Sequence, residues 1–230
     1  MEKEFITVDI VSDVACPWCY IGKRRLENAL KQWEGIPVKV QWHPYQLDPT
    51  IAKEGVDRNT YLINKFGNLE STIAMTDRLT EVGKEVGIEF DFGENWLAVN
   101  TLPLHQLLYV AGQEGFKDAL KERLLKAYFV DTLHLNNIDV LSKIMEEFGW
   151  NTEKAQRIIA DKSIAKIVQD EIAHYQKLGV TGVPFFIINN KYGVSGAQPS
   201  TVFLEALSSL APIDKISEQG EHCDPISGDC

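Results

Sequence analysis

The chain has 230 residues, 44% of them hydrophobic, with 23 Lys and Arg against 33 Asp and Glu for a formal net charge of −10. That length suffices to bury a core in one domain or two small ones, and the acidic balance argues against nucleic acid or an anionic membrane as partner. No stretch approaches the roughly 18 apolar residues of a membrane span. The first residues, MEKEFITVDIVSD, lack the apolar run and small-residue cleavage site of a secretion signal. A cytoplasmic location is expected, where paired cysteines are more often catalytic, sensing or metal-binding than permanent staples.

Residues 5–12 (FITVDIVS) are rich in β-branched side chains and predict a largely buried strand. Cys16 follows, and Pro17 opens a helical period through Trp18, Ile21, Leu26, Ala29, Leu30 and Trp33. Proline is favoured at the first helical position, where its missing N–H costs nothing. Cys16 therefore falls at the N-cap, and Cys19 lies one turn on, on the same side. Gly35 and Pro37 stop the helix, and residues 37–45 (PVKVQWHPY) alternate like a second strand.

Helical periods then dominate from Val56 to Leu178. They run through Ile73, Leu79, Val82 and Val86, through Leu104, Leu107, Leu108 and Ala111, and again through Leu120, Leu124, Ala127 and Tyr128. Gly67, Gly87, Gly115 and Gly149 fall where helices should end. Strand character returns at residues 182–188, a turn at Asn189-Asn190-Lys191 leads into Tyr192 to Ser195, and Pro199-Ser200 opens a last helix. This order predicts an α/β protein in which one sheet, from residues 1–55 and 179–212, is interrupted by an all-helical insertion over 56–178. An acidic tail, 213–230, follows. The apolar stripes of the insertion mean mostly core; a groove facing Cys16 that selects partners is the other reading.

The segments DVACPWCYIGKRRLENAL, AYFVDTLHLNN and GVTGVPFFIINNKYGVSGAQP, with the element order around them, resemble the DsbA-like group of the thioredoxin fold. Within that group the chain is similar to the FrnE-like subfamily of cytoplasmic proteins, over residues 4–210. The resemblance implies a thioredoxin fold with a helical insertion. It also implies thiol–disulfide exchange on protein or peptide thiols through Cys16-Pro-Trp-Cys19, the redox-active disulfide being the only cofactor and glutathione a candidate co-substrate. In such a fold Val183–Pro184 would be cis and lie beside Cys16, leaving the preceding backbone free to pair with an extended substrate. Pro17 and Trp18 add no charge between the cysteines, so a less extreme oxidant is expected than in Pro-His members.

The physical chemistry points the same way. A thiolate is the reactive form, and the positive end of a helix favours it, bringing a thiol from about 8.5 into the range of about 3.5–7.5. Cys16 at the N-cap should receive most of this effect and attack; Cys19, more buried, should resolve the mixed disulfide. Asp9 or Asp13 is a candidate proton acceptor for Cys19, or an ordinary strand-end aspartate. His43 is a candidate active-site contact, or a strand-end histidine satisfied by backbone.

Two other functions share this superfamily or this chemistry. Glutathione-dependent 2-hydroxychromene-2-carboxylate isomerases and kappa-class transferases typically carry serine at the nucleophile's position and lack the second cysteine, unlike this chain. Ser195 and Gln198 lie where that group contacts glutathione, with Gln198 replacing the usual aspartate. A redox-sensing holding chaperone is the non-enzymatic reading. A zinc site at Cys16–Cys19 lacks ligands of suitable spacing, and no metal is expected there. Cys223 and Cys230 in the tail make a candidate second redox pair, as FrnE-like relatives can carry. Metal binding with His222 and a reduced tail are the rivals.

Overall fold

Strand β1 (Ile6–Ser12) is an interior strand of the sheet and the one on which the rest is built. Its side chains are buried at all but one position, so it needs cover on both faces, and its unbroken apolar run reflects that. The computed structural model describes residues 5–93 and 96–210. β1 pairs in parallel with β2 (Val38–Pro44) and antiparallel with β5 (Phe185–Ile188), which continues into β6 (Tyr192–Ser195) to give the sheet order β2-β1-β5-β6. The β5–β6 turn has Asn189 and Asn190 at φ of 50° and 54°. Asparagine tolerates this left-handed region better than most residues.

Helix α1 (Pro17–Leu30) crosses from β1 to β2 and lies between two cores. Leu26 and Ala29 pack with Ile6, Val8, Ile10, Phe186 and the Phe203 of α9 (Ser200–Ser208). Tyr20 and Ile21, one turn earlier, belong instead to the core of the inserted helices. The start of α1 is thus clamped from both sides. Gly22 marks the tightest point: a Cβ there would sit 3.0 Å from Pro184 Cγ and 3.1 Å from Phe186 Cζ. Gly22→Leu should cost about 1–3 kcal/mol by overpacking, against a helix-propensity gain of about 1 kcal/mol. Urea unfolding checks this, and an unchanged midpoint would contradict it.

The insertion runs through α2 (Arg58–Phe66), α3 (Leu69–Glu85), α4 (Leu102–Gln113), α5 (Lys117–Phe129), α6 (Ile138–Glu146), α7 (Thr152–Ala160) and α8 (Lys162–Lys177). Asp57, Asn68, Asn137, Asn151 and Asp161 cap five of these helices by accepting backbone N–H groups. Gly67, Gly87, Gly115 and Gly149 all take positive φ at or just beyond helix ends. The insertion is not all-helical, however. β3 (Val56–Asp57) and β4 (Leu97–Ala98) form a two-residue antiparallel ladder that ties the entry of α2 to the chain before α4. So short a ladder leaves no period in the sequence. Strand β5 also starts at Phe185, after Pro184 rather than at Gly182, since proline has no N–H to give the sheet.

Candidate active site

Cys16 is the N-cap of α1 in an extended conformation, with Pro17 next, so the strand-to-helix switch happens at the sulfur itself. The Cys19 N–H donates to the Cys16 carbonyl at 3.0 Å, closing the first turn and stacking the two thiols. Both are free thiols and nearly inaccessible, at 3% and 1% exposure. From the far end of the chain, the cis Val183–Pro184 bond brings the Val183 carbonyl to 3.5 Å from Cys16 Sγ, which donates to it.

Beneath the pair lies a buried polar floor. Asp13 is 1% exposed and accepts from the Leu47 N–H at 2.8 Å and from His105 Nε2 at 3.2 Å. Its own burial opposes ionisation, but these donors hold its carboxyl below the usual range. Burial pushes the His105 imidazole down, the Asp13 carboxylate partly offsetting it. Lys121 on α5 is 1% exposed, with its ammonium 5.6 Å from the Trp42 ring centroid. Burial pushes Lys121 down to about 8, opposed by the charges of Cys19, Asp13 and Cys16. The buried Ser12 hydroxyl has no hydrogen-bond partner of ordinary length.

The electrostatics correct the expectation for Cys16. Burial, then the hydrogen bond and charge of Cys19, push the Cys16 thiol well up rather than down. Cys19 is lowered: burial opposes it, but the Cys16 S–H, the Lys121 ammonium, Ser12 and the Asp13 backbone all favour its thiolate. The helix end does act on Cys16, through the Cys19 N–H, but a desolvated sulfur facing a carbonyl oxygen gains less from it. When the pair first ionises, the negative charge therefore rests on Cys19 and the proton stays on Cys16.

Above Cys16 is a cavity of about 280 Å³, lined mainly by apolar side chains, among them Trp18, Leu79, Trp96 and Phe129. Cys16 and Val183 form part of its wall and Cys19 does not, so Cys16 is the sulfur that a molecule in the cavity would meet. Pro17 also lines it. The stripes of the insertion form a core, and α2 and α3 also wall the cavity.

Three expected contacts are not brought to this cavity. His43 lies between Asp9 at 2.8 Å and Glu171 at 2.7 Å, with the Tyr175 ring tilted beside it; carboxylates satisfy it rather than backbone. That also removes Asp9 as a neighbour of Cys19 and leaves Asp13. Ser195 ends β6 in an exposed position, and the Gln198 amide folds back to donate to the Ser195 carbonyl at 2.9 Å. Cys223 and Cys230 lie outside the described residues. Lys121 and His105 escaped the sequence reading. Position 121 falls on the buried face of α5 with Leu120, Leu124, Leu125 and Tyr128, and a lysine on that stripe was the available signal. Among the described residues, no three His, Cys, Asp or Glu side chains form a metal-binding group, and no helix is long and apolar enough to cross a membrane.

Comparison with known proteins extends this geometry. The profile of the DSBA-like thioredoxin domain matches residues 7–208. A probable DsbA oxidoreductase from Streptomyces coelicolor is 34% identical, with a TM-score of 0.83 over 96% of this chain and 97% of that one. A 2-hydroxychromene-2-carboxylate isomerase, 15% identical, superposes at 0.68 over 89% of this chain and 95% of its own. The cytosolic disulfide reductase DsbM of Pseudomonas aeruginosa, 18% identical, does so at 0.61 over 89% of this chain and 100% of its own.

Proposed function

The chain belongs to the DSBA-like thioredoxin domain family, and we propose that within it Cys16 and Cys19 carry out thiol–disulfide exchange, in the cytoplasm and on FrnE-like lines. One observation carries the reading: Cys16 meets the cavity while Cys19, one turn on in the same helix, is held towards the thiolate by the Cys16 S–H and then by the buried Lys121. In the reducing direction the dithiol gives up one proton, the other passes from Cys16 to Cys19, and the Cys16 thiolate attacks a substrate disulfide. A mixed disulfide forms and the first substrate sulfur leaves as a thiolate. Cys19 then gives up its proton and attacks Cys16 Sγ, forming Cys16–Cys19 and releasing the second substrate thiolate. Lys121 stabilises the charge on Cys19 while it attacks, and the Asp13–His105 pair fixes the floor.

The isomerase reading draws no support from Ser195 and Gln198, which line none of the cavity. The reading is tested by equilibrating the chain in glutathione buffers of graded potential and mapping its peptides by mass spectrometry. A reversible loss of two hydrogens from the Cys16–Cys19 peptide is expected. A pair that stays reduced in oxidising buffer would overturn it.

A further inference from the structure

We infer that the cavity over Cys16 binds a small disulfide or thiol that carries an aromatic group and a carboxylate, with Arg58 recognising the charge. This rests on Cys16 as the attacking sulfur and adds the substrate class. The cavity, at about 280 Å³, is near the lower end of small-ligand sites, roughly 300 Å³ and upward. It fits a substituted ring rather than a length of polypeptide. Its aromatic wall includes Trp18, Phe92, Trp96 and Phe129, which favours an aromatic occupant. A sulfur only 3% exposed is also out of reach of a disulfide on a rigid protein surface.

Arg58, at the start of α2, supplies the second observation. It lines the cavity, and its guanidinium carbon lies 5.5 Å and 5.7 Å from the ring centroids of Phe92 and Trp96. One terminal nitrogen donates to Thr76 Oγ1 at 2.7 Å and the other to Asn59 Oδ1 at 3.3 Å. The Nε is buried and has no hydrogen-bond partner. Among the described residues, no carboxylate forms an ion pair with Arg58. A desolvated guanidinium N–H without an acceptor is costly, and a ligand carboxylate is the acceptor that suits it best. The acidic groups on the cavity wall already have partners: Asp13 accepts from Leu47 and His105, and Asp48 caps Thr50. In the bound state the ring lies in the cavity and the disulfide beside Cys16. The Cys16–S bond forms as the substrate S–S bond breaks, and Cys19 completes the two-electron reduction. The two thiol protons pass to the two released thiolates.

The test uses the reduced full chain and three disulfide probes: dithiobis-nitrobenzoate (aromatic, anionic), dipyridyl disulfide (aromatic, neutral) and dithiodiglycolate (aliphatic, anionic). Each rate is divided by the rate of the same probe with free glutathione, which removes intrinsic reactivity. The aromatic anion should lead both others by about tenfold or more, the worth of one good charge-assisted contact. Arg58→Met should collapse its lead over the neutral aromatic probe, and Arg58→Lys, which keeps charge but not the Nε fork, should restore part of it. Met75→Trp, filling the cavity, should slow both aromatic probes. Equal normalised rates, with the ratio unmoved in Arg58→Met, would overturn the substrate class while exchange at Cys16 stands. Undiminished reaction of Cys16→Ser would instead overturn the reading beneath it.

Discussion

Cys16→Ser should lose disulfide exchange to below detection, on the order of a thousandfold or more, in dithiothreitol-driven reduction of insulin or of a small disulfide. A serine oxygen cannot form the mixed disulfide, and among the described residues the one other thiol, Cys19, is poorly placed to stand in for Cys16. Cys19 is 1% exposed and outside the cavity wall, and Cys16 stands between it and any entering molecule. The change is nearly isosteric, so the fold should persist, with the introduced hydroxyl still able to donate to the Val183 carbonyl now 3.5 Å from the sulfur. Retention of more than a tenth of wild-type turnover would show that another group attacks.

Lys121→Met should stabilise the chain and slow disulfide exchange at once. The ammonium is buried with a pKa pushed from 10.5 to about 8. At about 1.4 kcal/mol per unit, holding it charged costs roughly 3 kcal/mol below pH ~8. Between about pH 8 and 10.5 the unfolded lysine keeps a proton that the folded one has lost, so stability from this group rises with pH across that window. Methionine fills a similar volume without the cost. Denaturant unfolding of the disulfide form, in which neither thiol titrates, should find Lys121→Met more stable at pH 7, with the advantage shrinking towards pH 10.5. Resolution should slow, because Cys19 loses a cation that favours its thiolate. Each unit by which Cys19 rises costs about tenfold in thiolate fraction near neutral pH. A variant both less stable at pH 7 and unimpaired in turnover would contradict the assigned role.

What was legible in the sequence was local. Cys16-Pro17 after a β-branched run fixes strand, N-cap and helix start within a few residues, and the four glycines and two asparagines announce their own backbone turns. The cis proline beside Cys16 and the interrupted sheet came through resemblance, since Cys16 and Val183 are 167 residues apart in the chain. The missed features are products of tertiary burial. A helix N-terminus in the sequence suggests an acidic Cys16, but burial by the surrounding fold, with the hydrogen bond and charge of Cys19, reverses this. Lys121 and His105 read as polar punctuation on helices until packing puts them under Cys19 and Asp13. His43 sits where its strand should end, yet Glu171, 128 residues on, engages it in a hydrogen bond away from the thiols.

The division of labour between the sulfurs is most directly tested with Cys19→Ser, which should stop at the mixed disulfide because the thiol behind Cys16 that would resolve it is gone. Incubating that variant with a disulfide probe and mapping the adduct by peptide mass spectrometry reads out the attacking atom. One equivalent bound at Cys16 and stable until external thiol is added is the expected result. No adduct at Cys16, or an adduct that turns over at the wild-type rate, would contradict it.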